Sequence, residues 1–384
     1  MATYTLHFAT NRAHVGRDRW NPTGYDKYFS EDGAENLRFG LVNVRASPSE
    51  VAEHTGRDVR FGTGDGEGLS AYFTEKAASM RIEAFEEKIN PAQPDSDKKT
   101  KVLGSLRAFT DMQAKMKSAY DVVIYIHGFN VSWREAVGSA LALQEMLNQR
   151  IRPEAKAADQ TGVVVFLFTW PSDGLALPYV SYKSDRTDAE ASGYAVGRGL
   201  LKLRDFLASL RTRGRAGEPL CDQEMHLLCH SMGNYVLQNT VKRLLEFNRG
   251  LVLPRIFEHI FMCAPDVNDN VFEFGQPLER LPELARTVSV YHNKGDMAMY
   301  VSDYTKQNPD RLGMAGASKP GTLHSKIHQI DCTPIVKGLV EHSYYLSGRV
   351  NEDIRMSIQG LAPDDPVRPR VTQSRAWPNV WTMK

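Results

Sequence analysis

The residues whose types and spacing best fit covalent chemistry are Ser231, Asp296 and His342. Ser231 stands in Cys229-His230-Ser231-Met232-Gly233. An apolar run, Met225 to Leu228, precedes it, and Leu237, Val241, Leu244 and Leu245 follow at helical spacing. This reads as a strand, a sharp turn and a helix with serine at the apex. Such a turn lifts the hydroxyl above the sheet and aims the N–H of Met232 at an oxyanion forming beside it. Crowding at the turn calls for small neighbours. Gly233 is one, and Cys229 stands where glycine is usual. Ser-x-Gly ahead of a helix also describes an N-capping serine, so the rest of the chain must decide.

A serine hydroxyl needs a base, and the base needs an orienting acid. Behind a serine elbow the acid comes next in the chain and the histidine last. Asp296 follows an apolar run, Val288 to Tyr291, in the glycine turn His292-Asn293-Lys294-Gly295-Asp296. Asp266, in Cys263-Ala264-Pro265-Asp266, competes from one strand earlier, and either could be a turn or capping aspartate. Of the histidines further on, His324 and His328 fall before or inside the segment Ile327 to Cys332, whereas His342 falls after it. His342 is therefore the expected base. The run Val122 to Ile126 leads into His127-Gly128-Phe129-Asn130. The N–H of Phe129 is the expected second oxyanion donor, beside that of Met232. His127 is read as a neutral brace for that loop. Trp170, in Phe168-Thr169-Trp170-Pro171-Ser172, follows a strand end and is expected to line the substrate pocket, with a core tryptophan as the alternative.

These residues need elements to position them. Short continuous apolar runs predict strands at Val122–Ile126, Val163–Phe168, Met225–Leu228, Ile256–Cys263, Val288–Tyr291 and Ile327–Cys332. Helices are expected at Leu103–Lys117, Trp133–Asn148, Asp188–Leu210, from Leu237 onward and at Arg349–Ile358, with a short one between Ala264 and Thr287. The alternation implies an α/β architecture, a mostly parallel sheet with helices on both faces. Sites in such sheets lie at the carboxyl ends of the strands, where Ser231, Phe129, Asp296 and His342 all fall. Residues 1–120 read as an N-terminal extension packed on the core. It holds strands near Tyr4–Phe8 and Leu37–Val44, a glycine-rich loop at Glu50–Gly68 and a linker at Asn90–Lys101. Residues 121–360 form the core, and residues 361–384 an extended tail over the body.

Composition removes several classes of function. The 384 residues include 47 basic and 46 acidic side chains, a net charge of +1, which gives no electrostatic case for nucleic acid or an anionic membrane. No apolar stretch is long enough to span a membrane. No HExxH, P-loop, GxGxxG or clustered metal ligands appear, so neither cofactor nor metal is expected. Cys221, Cys229, Cys263 and Cys332 form no CxxC pair and read as reduced thiols. With no secretory leader evident, a cytoplasmic location is expected. Nothing in the sequence assigns an oligomeric state.

Together these segments resemble the α/β-hydrolases catalogued as DUF900, usually labelled esterase/lipase-superfamily enzymes. The resemblance rests on His7-Phe8-Ala9-Thr10-Asn11-Arg12, Ile124 to Asn130, Phe168 to Ser172, His230 to Asn234, Ala264-Pro265-Asp266, the Asp296 turn and His342-Ser343-Tyr344. It implies an α/β-hydrolase fold and serine hydrolase activity. The expected partner is a small-molecule ester. Acyltransferase, lipase, thioesterase or amidase activity on the same triad, or a non-catalytic binding module, are the alternatives. Haloacid-type and epoxide hydrolases on this fold carry aspartate at the elbow, where this chain has Ser231.

Overall fold

The computed structural model describes residues 1–59, 62–87, 102–150, 162–172, 178–213, 223–298, 310–336 and 342–384. The expected linker at Asn90–Lys101 and Cys221 lie outside the described residues. In chain order the strands are β1 (Ala2–Thr10), β2 (Arg12–Val15), β3 (Gly24–Phe29), β4 (Arg38–Ala46), β5 (Asp58–Val59), β6 (Gly62–Thr63), β7 (Arg81–Ala84), β8 (Tyr120–Ile126), β9 (Gly162–Thr169), β10 (Met225–His230), β11 (Phe257–Cys263), β12 (Ala285–His292), β13 (Ile327–Asp331), β14 (Arg370–Ser374) and β15 (Trp377–Met383). The helices are α1 (Pro48–Gly56), α2 (Gly66–Lys76), α3 (Gly104–Lys117), α4 (Trp133–Leu147), α5 (Pro178–Arg213), α6 (Gly233–Phe247), α7 (Leu312–Ala315) and α8 (Gly348–Ile358).

One sheet dominates, in the order β14-β15-β13-β12-β11-β10-β8-β9-β1-β4-β7. From β1 through β9, β8, β10, β11, β12 and β13 to β15 every pairing is parallel; β4 and β14 run antiparallel to their neighbours. The apolar run of β8 shows why. Val123 and Tyr125 pack into one core with α2, α4 and α8, while Val122 and Ile126 pack into a second core with α5 and α6. A strand buried on both faces has no use for polar alternation.

The N-terminal strands expected from the sequence are present, but β1 pairs with β9, so β1, β4 and β7 belong to the central sheet rather than lying against it. The tail is likewise a pair of sheet strands, with β15 beside β13. Glu50–Gly68, expected as loop, contributes α1 and the start of α2. The carboxylate of Asp65 caps α2 by accepting the N–H of Gly68 at 2.9 Å. Between Ala264 and Thr287 there is no α-helix, only a 3-10 turn at Leu281–Glu283.

The sheet order also fixes where a site can form. From β8 the chain passes to β9 on one side and then returns to β10 on the other. Loops leaving β8 and β10 therefore diverge, and a crevice opens at their carboxyl ends.

Candidate active site

Ser231 follows β10 at that crevice and has φ of 50°. A non-glycine residue there costs about 1–2 kcal/mol, so the surroundings must hold it. The Ser231 N–H donates to the Cys263 carbonyl at 2.9 Å, and the Ser231 carbonyl accepts the N–H groups of Asn234 at 3.0 Å and Asp266 at 3.2 Å. The Asn234 amide nitrogen adds bonds to the Cys229 and Ser231 carbonyls at 3.0 and 3.1 Å. Gly233 is needed for close approach: a methyl group there would sit 2.6 Å from the Ile126 carbonyl oxygen and 2.7 Å from that of His127. Cys229 is fully buried and burial pushes its thiol pKa up, so it is a packing residue in the glycine's usual place.

The loop after β8 is pressed onto the serine. A methyl group on Gly128 would lie 2.8 Å from Ser231 Cβ. His127 is buried with its pKa held down at about 3, by burial first and by Arg12 second. Its Nδ1 lies 2.9 Å from the Gly128 carbonyl, and its Nε2 is 2.9 Å from Thr169 Oγ1 and 3.3 Å from the Trp170 N–H. A neutral ring protonated at Nδ1 satisfies all three contacts, as expected of a brace. Among the described residues, no acceptor takes the N–H of Phe129 or of Met232, which leaves both free for an oxyanion. The ring of Phe129 meets Tyr182 edge-on, with centroids 5.8 Å apart.

Trp170 does not line a pocket. It has no exposed surface, its ring stacks on His127 at 5.5 Å, and its Nε1–H donates to the His127 carbonyl at 3.1 Å. A side chain with no free face cannot touch substrate; it supports the loop from behind.

His342 Nδ1 lies 2.7 Å from Asp296 Oδ2, and Asp296 is buried. Asp296 is fixed in turn, its Oδ1 accepting the N–H of Ala298 at 3.1 Å. The competing residues are engaged elsewhere. Asp266 accepts the Tyr182 hydroxyl at 2.7 Å and faces Arg311 Nε at 3.3 Å. His324 is exposed and accepts the N–H of Lys326, and His328 accepts the indole N–H of Trp381 at 3.2 Å. Among the described residues, neither Ser231 Oγ nor His342 Nε2 has a hydrogen-bond partner. The nucleophile–base contact is thus open here, as is common before substrate binds.

The family model described as "Alpha/beta hydrolase of unknown function (DUF900)" matches residues 107–354, more than half of the chain. The chain belongs to this family. No curated protein matches it. Among solved structures, it is similar to a candidate cell surface hydrolase from Lactobacillus plantarum WCFS1, at 13% identity and a TM-score of 0.30, over 62% of this chain and 90% of that one.

Three residues of this α/β hydrolase carry site geometry that sequence reasoning did not assign. His230, inside the elbow, donates from Nε2 to the His342 carbonyl at 3.1 Å, and the two rings lie 4.6 Å apart. Burial, then the neighbouring His342, pushes its pKa well below the ordinary value, so the ring is neutral. Asn234 staples the turn. Arg12, fully buried, donates to Thr169 Oγ1 at 3.0 Å, the Asp26 carbonyl at 3.1 Å and the Val131 carbonyl at 2.7 Å. It thereby ties the Phe8-Ala9-Thr10-Asn11-Arg12 segment to the loop after β8. The only sequence signal for these three was their place in the family motifs. Among the described residues, no helix is long and apolar enough to cross a membrane.

Proposed function

We propose that this hydrolase cleaves carboxylic esters through an acyl-enzyme, with Ser231, Asp296 and His342 as its triad. The observation that carries this reading is the 2.7 Å contact between His342 and buried Asp296, in a loop anchored to the serine elbow through His230. Ser231 Oγ attacks the ester carbonyl, and His342 Nε2 takes its proton and passes it to the departing alcohol. Asp296 accepts the Nδ1–H of His342, fixing the tautomer and stabilising the imidazolium. The N–H groups of Met232 and Phe129 bind the oxyanion. Water, deprotonated by His342, then attacks the acyl carbonyl and releases the acid and Ser231. A small-molecule ester is the substrate. A cytoplasmic location is part of the proposal, supported by the free buried thiols of Cys229, Cys263 and Cys332.

The test is labelling with a fluorophosphonate, together with hydrolysis of p-nitrophenyl esters of graded chain length. Ser231 should be the labelled residue, and Ser231→Ala should lose both labelling and turnover while keeping its circular dichroism. Wild-type turnover by Ser231→Ala would remove the proposal. Product analysis with competing alcohols, thiols and amines separates an esterase from an acyltransferase.

A further inference from the structure

Beside the elbow, a cavity of about 220 Å³ opens between α5, α6 and the loop after β11. Its wall is polar: Arg186, Tyr235, Gln238, Asn268, Asn270 and Gln276. Among the described residues, Arg186 is the single charged residue of the lining. The guanidinium lies over the Tyr235 ring at 3.6 Å, and Nη1 donates to the Tyr182 hydroxyl at 3.2 Å. Among the described residues, its remaining N–H groups have no hydrogen-bond partner. The charge of Asp266, which Arg311 also contacts, acts on this guanidinium. Asp266 thus acts on two guanidinium groups.

The cavity wall is built from neighbours of the residues that hold the elbow. Tyr235 lies in the first turn of α6, which begins two residues after Ser231. Val267 of the wall follows Asp266, whose N–H binds the Ser231 carbonyl. Tyr182, under Arg186, touches Phe129 of the oxyanion loop. A fatty acyl chain would cover the carboxamides and the guanidinium without pairing them, which is costly. A carboxylate matches the planar fork of arginine, with amide N–H groups beside it.

We infer that this cavity receives a carboxylate carried by the ester, so that the preferred substrates are short esters bearing a second, anionic group. The inference rests on the serine-hydrolase reading for its catalytic consequence, though not for binding itself. At this volume, smaller than a pocket for a drug-sized ligand, the anionic arm is short.

The experiment compares kcat/KM for p-nitrophenyl hemiglutarate and p-nitrophenyl butyrate. The wild-type protein should favour the hemiglutarate by about 10-fold or more at low salt. Arg186→Gln should bring that ratio near one, Arg186→Lys should restore part of it, and Gln238→Leu should lower it in part. A wild-type ratio near one, or a ratio unmoved by Arg186→Gln, overturns the inference. A second arm measures the melting temperature of Ser231→Ala with glutarate. The expected shift disappears when Arg186→Gln is added; an absent shift overturns the cavity assignment. Should Ser231 fail to react with fluorophosphonate while the glutarate shift persists, the serine-hydrolase reading fails and the anion site stands.

Discussion

His230 Nε2 holds the backbone carbonyl of His342 at 3.1 Å. The residue that precedes the proposed nucleophile therefore anchors the segment that carries the proposed base. The imidazole is neutral, because burial first and the neighbouring His342 second hold its pKa well below the ordinary value. His230→Leu should lower kcat by about 100-fold, the scale of a 1 Å misplacement, with much less change in KM. Glutamine can still donate to the same carbonyl, so His230→Gln should recover much of the loss. Equal activity in both variants would make the contact incidental.

Gly128 is the second close approach. With a methyl group there 2.8 Å from Ser231 Cβ, Gly128→Ala must push the oxyanion loop away from the serine. The expected result is a fall in fluorophosphonate labelling rate of about 100-fold, with stability reduced by about 1–3 kcal/mol. Urea unfolding and labelling kinetics on the same sample would separate the two effects. Unaltered labelling would place the oxyanion donors elsewhere.

Asp296 and Asp266 should separate by assay. Asp296→Asn removes the acceptor of His342 Nδ1 and should lower kcat by about three to four orders of magnitude, with little loss of fold. Asp266→Asn withdraws the carboxylate facing the buried Arg311. It should destabilise the protein by about 3 kcal/mol and affect kcat far less. The reverse ranking would move the acid to β11.

Buried histidines set an acid limit on stability: among the described residues, burial holds His7, His127, His230, His259, His292 and His328 below the ordinary value. Burial, with nearby Lys115 and Arg107, holds His7 down at about 4, and burial with Arg12 holds His127 at about 3. Both folded values lie below that of an unfolded histidine, about 6.5. Above that pH neither state binds the proton and stability is complete. Below it the unfolded chain takes protons that the folded chain refuses, so stability falls by about 1.4 kcal/mol per pH unit for each histidine. The fall ends for each as pH passes its folded value. Urea unfolding should show clearly lower stability at pH 5.5 than at pH 7.5, and His7→Gln should remove about 1.4 kcal/mol of that difference. A flat profile would show that these rings charge freely in the folded protein.

The sequence alone determined the order of events along the core. Each residue of the proposed site was picked out because it followed an apolar run: Phe129 after β8, Ser231 after β10, Asp296 after β12 and His342 after β13. A strand buried on both faces must be continuously apolar, and a parallel sheet presents the following loops at one edge, so local pattern and position suffice. The same reasoning set His324 and His328 aside, and they are engaged elsewhere in the fold. What local pattern could not determine was anything that depends on a distant partner. Glu50–Gly68 has too many glycines to read as helix, yet α2 forms because Asp65 caps it and because Gly138 lets it pack closely against α4. Trp170 looked equally like a pocket wall and a core residue; its stacking on His127 decided for the core. The tail became β14 and β15 only because β13 offered an unpaired edge. The link from His230 to His342 spans 112 residues, and no periodicity carries information over that separation. The candidates for the proposed triad were therefore written in local strand ends, whereas the contacts of His342 with Asp296 and His230 exist only once the sheet has formed.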